Sequence, residues 1–215
     1  MFKKKSFFIT FEGVEGSGKS FQSKKLYTNL KKKRISAILT REPGGTLGAE
    51  KIRDVILKDY FEKKPKEKFD MYTDTLLYLA ARNEHVNKKI KPALLKKKII
   101  ICDRFTDSTF AYQVYGKGVN KKFINLIQRK TLGNLKPDLT FVLTANITKA
   151  LNRLKKRKIK NRYDKFSRNF YSKVQKAFIK IALSNQKRYV LLDNSEDSSE
   201  LEKVILKKFL SKFNK

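Results

Sequence analysis

The chain has 215 residues, 52 of them Lys or Arg against 20 Asp or Glu, giving a formal net charge of +32. That length suits one α/β domain with a sizeable core, and 40% apolar residues is ordinary for a globular protein. One cysteine excludes an internal disulfide, one histidine excludes a His-rich metal centre, and no apolar run reaches membrane-spanning length.

The first strand is predicted at 6–11, from the aromatic and β-branched run FFITF. The start MFKKKSFFITF superficially resembles a signal peptide, but its apolar part is short and ends at Glu12, so a cytoplasmic location is expected. Glycines follow at once, in Gly13-Val14-Glu15-Gly16-Ser17-Gly18-Lys19-Ser20. A helix is predicted over 19–33, with Leu26 and Leu30 one turn apart. Strand, glycine loop and helix are the context in which G-x-x-x-x-G-K-[ST] is a phosphate cradle. Backbone amides and the positive helix end then face a polyphosphate, Lys19 reaches its outer phosphates, and the Ser20 hydroxyl ligates Mg²⁺.

A second strand at 36–40 leads into TREPGGTLGAEKIR (40–53), where glycines and a proline break the chain and a helix over 48–60 brings Arg53. In the helix predicted over 70–90, Tyr78 and Arg82 are i, i+4 neighbours, an aromatic ring beside a guanidinium that suits a planar base. The third strand, 98–102, ends at Cys102, read as a small buried residue. The loop DRFTDSTFAYQ (103–113) follows, with Asp103 placed to hold Mg²⁺ and Arg104 to clamp a phosphate. Thr109 and Gln113 repeat the i, i+4 spacing with groups that read a base edge. Strands at 139–144 and 189–193 and helices over 120–132, 147–157, 168–186 and 199–213 complete the chain. The basic stretch 153–168, RLKKRKIKNRYDKFSR, lies between two helices as a lid does. Five apolar strands separated by helices predict an α/β fold, a five-stranded parallel sheet with helices on both faces. Ligands of such sheets bind beyond the carboxyl ends of the strands.

The basic residues are scattered in KKKR (31–34), KKK (96–98) and KKRKIKNR (155–162). Scattered charge predicts weak, salt-sensitive nucleic-acid binding and no specific nucleic-acid or membrane partner. Three function classes remain in view: a nucleoside monophosphate kinase, a kinase of another nucleotide or nucleoside, and a nucleic-acid-directed ATPase. A nucleoside kinase needs a base for the 5′-hydroxyl and fewer phosphate-clamping arginines. A motor needs further motifs and a longer chain.

Taken together and in order, EGVEGSGKS, TREPGGT, LAAR, DRFTDSTFAYQ and KPDLTFVL resemble bacterial thymidylate kinase, a P-loop nucleoside monophosphate kinase family, from the first strand to about residue 185. The resemblance implies one thymidylate kinase-like domain over 1–215, and ATP-dependent conversion of dTMP to dTDP, toward dTTP and DNA replication. It also implies a homodimer paired through helices. It assigns Glu15 to the deoxyribose 3′-hydroxyl, Arg53 and Arg104 to the acceptor phosphate, and Tyr78 to stacking on thymine. Arg82 is implied at the base carbonyl, Thr109 and Gln113 at its other edge, and Tyr112 where a ring disfavours a ribose 2′-hydroxyl. Arg162, in NRYD, matches the lid arginine that meets the transition state, with Arg153 and Arg157 as second candidates. Four departures stand out: Phe21 after Ser20, Tyr78 for a common Phe, Asn161 and Asp164 for Asp and Glu, and Thr144-Ala145 without an acidic residue.

Overall fold

The computed structural model describes residues 6–58, 67–156, 161–196 and 200–214. Five parallel strands form one sheet in the order β2-β3-β1-β4-β5: β1 Phe7–Glu12, β2 Ala37–Arg41, β3 Ile99–Asp103, β4 Leu139–Thr144 and β5 Tyr189–Asp193. Between them run α1 Lys19–Lys32, α2 Leu47–Leu57, α3 Met71–His85, α4 Lys91–Leu95, α5 Thr106–Thr109, α6 Lys121–Leu132, α7 Ile147–Lys155, α8 Arg168–Leu183 and α9 Glu200–Phe213. Residues 59–60, 157 and 199 of the predicted helices, and 157–160 of the predicted lid with Arg157, lie outside the described residues.

The central strands are buried on both faces, as a parallel sheet covered by helices requires. Phe7, Ile9 and Phe11 point to one side, where Leu26 and Leu30 of α1 and Ile205 and Phe209 of α9 cover them. Phe8 points to the other, against Val86, Ile90 and Phe105. Farther along that face, Val142 packs on Tyr171, Val174 and Phe178 of α8.

Two predicted segments are corrected. The stretch 103–113 is not an open loop: α5 passes into a wider π-helical turn, Phe110–Gly116. The helix expected to end near 90 instead widens into a π-helical turn at Val86–Ile90 and continues as α4, with Pro92 in its first turn, where a missing N–H is tolerated. The register pairs Phe11 with Asp103 and Arg41 with Asp103. Glu12, Glu42 and Arg104 therefore leave the sheet at one level, and the three loops that follow share one edge.

Candidate active site

Among the described residues, five α-helices begin with a capping side chain: Thr46, Asp70, Asn120, Asn146 and Ser167 accept from the first-turn amides of α2, α3, α6, α7 and α8. No described side chain caps α1, which starts behind Gly18 with φ 85°. Its orphan amides are left for an anion. The loop tolerates no bulk: a Cβ on Gly13 would lie 2.2 Å from the Leu143 carbonyl oxygen. Lys19 Nζ donates to the Val14 carbonyl at 2.8 Å, across the mouth of the loop. Asn194 Nδ2 donates to the Ser17 carbonyl at 2.9 Å and Arg153 Nη1 to the Gly16 carbonyl at 2.9 Å, bracing the loop from the β5 side.

At the end of β3, Ser20 Oγ donates to Asp103 Oδ2. The other Asp103 oxygen, Oδ1, is buried without a hydrogen-bond partner among the described residues. A hydroxyl and a carboxylate with a spare lone-pair site are hard oxygen donors, and they fit Mg²⁺. Next in the chain, Arg104 sits at φ 71°, a left-handed conformation costly for a non-glycine residue. Its Nη1 donates to the Gly13 carbonyl at 2.9 Å and to Ser108 Oγ at 3.0 Å; Nη2 donates to Glu15 Oε1 at 2.8 Å. Tyr112 donates its hydroxyl to the other Glu15 oxygen and lies under the guanidinium, 5.1 Å from ring centre to Cζ. Burial alone would raise the Glu15 carboxyl, but Arg104, then Lys19 and the Tyr112 hydroxyl, hold it below the ordinary carboxylate range.

Glu12, beneath this corner, was not singled out by the sequence. It is fully buried, accepting from the Phe105 amide at 2.7 Å and from Ser108 Oγ at 2.6 Å. Burial, reinforced by Asp107, pushes its carboxyl up to about 8 against the pull of Ser108 and Arg104. Between the ordinary carboxylate range and about 8 the folded chain holds a proton that the unfolded chain has released. Stability therefore falls as pH rises through that window. Thermal melts should show Tm dropping from about pH 5 to about pH 8 and levelling off above it, by about 2–4 °C for each kcal/mol lost, and Glu12→Gln should flatten the drop. An equally steep drop in the variant would assign it to another group.

The other side of the cleft is built on α3. Arg82, 4% exposed, donates Nε to Glu42 Oε2 at 2.6 Å, Nη1 to Thr109 Oγ1 at 2.7 Å and Nη2 to the Phe105 carbonyl at 2.9 Å. The second Glu42 oxygen meets His85 Nδ1 at 3.1 Å, and His85 Nε2 meets Thr40 Oγ1 at 2.7 Å. Glu42, His85 and Cys102 come within 4.8 Å of one another, but the first two are committed to this hydrogen-bond chain, which ties the TREPGG turn to α3. Arg53 Nη1 donates to the Pro43 carbonyl at 2.6 Å. Tyr78 is half-buried and meets the ring of Tyr163 edge-on at 6.0 Å.

A single cavity of about 170 Å³ joins these parts. Glu15, Lys19, Ser20, Asp103 and Arg104 line its phosphate-loop end; Arg53, Tyr78, Arg82, Thr109, Tyr112 and Gln113 line the other. From the lid, Asn161 and Tyr163 reach this cavity. Arg162 is not among the described residues lining it: its Nη2 donates to Asp74 Oδ1, beside a neighbouring cavity of about 320 Å³. Asn161 and Asp164 have a local explanation. The Asn161 side chain accepts from the Tyr163 amide and Asp164 accepts from the Asn161 amide, closing the 3₁₀ turn Arg162–Lys165. At Ala145, the Gln175 amide group bonds both the backbone N–H and C=O, at 3.1 and 3.0 Å, so the peptide after β4 is satisfied without an acidic side chain.

A family model described as thymidylate kinase matches residues 11–205. The thymidylate kinase of Wolbachia pipientis wMel is 43% identical over 196 residues, 90% of this chain and 93% of that protein. That of Mycoplasma capricolum is 38% identical over 207 residues, 95% of each. A crystal structure of thymidylate kinase from Ehrlichia chaffeensis superposes with a TM-score of 0.74 at 33% identity, covering 95% of this chain and 99% of that one.

Proposed function

The chain belongs to the thymidylate kinase family, and on that premise we propose that its central cleft seats dTMP opposite the polyphosphate of ATP. It phosphorylates dTMP to dTDP with ATP. The acceptor is already a phosphate anion, so the enzyme's work is alignment and charge neutralisation, with no strong base needed. The observation that carries the assignment of sites is Arg104. Its guanidinium bridges the phosphate loop, through Gly13 and Glu15, to Ser108 and Tyr112 of the acceptor wall. A group held between the two halves is placed to meet a phosphoryl group passing between them.

In this reading the residues 13–20 cradle the triphosphate, with Lys19 at its outer phosphates. Arg53 and Arg104 hold the dTMP phosphate. Tyr78 stacks on thymine, Arg82 meets its carbonyl, and Thr109 and Gln113 read its other edge. Glu15 takes the 3′-hydroxyl; the Tyr112 hydroxyl bonded to Glu15 supports its place beside the sugar. Ser20 and Asp103 would hold Mg²⁺, which when bound neutralises charge on the donor phosphates. The whole chain acts as one catalytic unit with its lid around 153–168. The exposed apolar residues Met71, Tyr72 and Leu76 of α3 and Leu126 of α6 support a homodimer paired through these helices. Among the described residues no helix is long and apolar enough to cross a membrane; a cytoplasmic site of action, supplying dTTP synthesis, completes the proposal.

A coupled ADP-release assay over dTMP, dUMP, dCMP, dGMP, AMP and thymidine tests it. The highest kcat/KM is expected for dTMP and almost none for thymidine, which lacks the phosphate that Arg53 and Arg104 grip. One methyl separates thymine from uracil, so dUMP should follow within about 10–200-fold. Thymidine turning over as well as dTMP would overturn the acceptor-phosphate assignment.

A further inference from the structure

We infer that Asp74 is a positioning residue whose carboxylate fastens the lid segment 161–166 to α3 and so holds Tyr163 against the acceptor side of the cleft. The inference rests on the acceptor-site reading above. Asp74 is 1% exposed, one helical turn before Tyr78, and no step of phosphoryl transfer uses it. Burying a carboxylate there is unfavourable unless it is paired and hydrogen-bonded. Its partners come from two other segments. Arg162 of the lid donates Nη2 to Oδ1, Lys117 donates Nζ to Oδ2 at 2.6 Å, and the Tyr163 hydroxyl reaches Oδ2 at 3.3 Å.

The same cations hold the lid ring: Arg162 Cζ and Lys117 Nζ each lie 5.3 Å from the Tyr163 ring centre. The Asn161–Asp164 capping pair shapes the turn, and the Tyr171 hydroxyl donates to the Tyr163 carbonyl at 2.6 Å. So fastened, Tyr163 is 4% exposed and meets Tyr78 at 6.0 Å and Tyr112 at 6.1 Å, both edge-on. Arg162 thus acts through Asp74, as part of a latch, and the acceptor end of the cleft is roofed by the lid.

A double-mutant cycle over Asp74→Asn, Arg162→Gln and their combination tests this, with kcat and both KM values measured. Each single variant should raise KM for dTMP about tenfold, with KM for ATP moving less than about twofold, and the pair should do no worse than either alone. Arg162→Lys should recover part of the loss. An Arg162→Gln loss of about 10³ or more in kcat beside a near-normal Asp74→Asn would make Arg162 a transition-state arginine and overturn the latch. Fully additive losses would overturn it too. Should Asp74→Asn fail to fold, Arg162→Gln with Lys117→Met runs the same cycle. Tyr78→Ala is the control. If it raises KM for dTMP and the Asp74 variant does not, the latch alone fails; if Tyr78→Ala leaves KM unchanged, the acceptor-site reading itself fails.

Discussion

Arg104→Ala lowers kcat/KM for dTMP by about 10³-fold while KM for ATP stays within about threefold. The expectation follows from the number of things one guanidinium does. It spans the Gly13 carbonyl, Glu15 and Ser108 within 3.0 Å, so it fixes the phosphate loop relative to the acceptor wall. Burial works against its charge, but Tyr112, Glu15 and Asp103 together hold its pKa above the ordinary arginine value, so it stays cationic at every working pH. On the proposed assignment, such a permanent, preorganised positive charge costs nothing to reorient during transfer. Arg104→Lys keeps a charge but loses the planar fork and should recover only a small part of the rate. Initial-rate kinetics by ADP release, with a thermal melt to verify folding, measure this. A fall of less than tenfold would remove Arg104 from the chemistry.

The sheet was legible because burial on both faces leaves its mark as runs of apolar residues. FFITF, KIII and LTFVL are such runs, and all became strands within a residue of their expected limits. The stretch after β3 was misread for the opposite reason. In α5 and the following π-helical turn, the inward residues include Thr106, Asp107, Thr109 and Gln113, all buried but polar. A helix that buries polar groups, Asp107 against Arg188 and Tyr189 and Thr109 against Arg82, shows no amphipathic stripe. Its composition therefore looked like a loop.

The geometry of the glycine loop, and the place of Asp103 and Arg104 at the end of β3, were legible because local geometry dictates local sequence: a tight turn between a buried strand and a helix draws glycines together. Residues acting by long-range pairing left no such trace. Glu12 meets Ser108 and Asn194 meets Ser17 across 96 and 177 positions of the chain. Nothing in Glu12 or Asn194 alone marks it out, since a buried polar group is recognised only by its partners. The lid shows the same limit. Its basic run was visible, but whether a given arginine faces a phosphate or a carboxylate depends on where Asp74 sits, and that residue is 88 positions away.

Arg82→Leu should destabilise the protein by about 3–5 kcal/mol, lowering Tm by about 10 °C or more, besides impairing dTMP binding. The cause is the partner left behind. Arg82 and Glu42 are 4% and 3% exposed at 2.6 Å, and truncating the guanidinium strands a buried carboxylate whose remaining donor is His85. The Thr109 hydroxyl and the Phe105 carbonyl lose their donor in the same stroke. Adding Glu42→Gln removes the stranded charge while keeping an acceptor for His85 Nδ1. If the loss in stability is electrostatic, that second substitution restores roughly half of the Tm, because a buried pair replaced on both sides is far less costly than one broken on a single side. On the proposed assignment of Arg82 to the base, it restores none of the affinity for dTMP. Melting curves and KM for dTMP on the single and double variants separate the two roles. Recovery of both together would mean that Arg82 serves the fold alone.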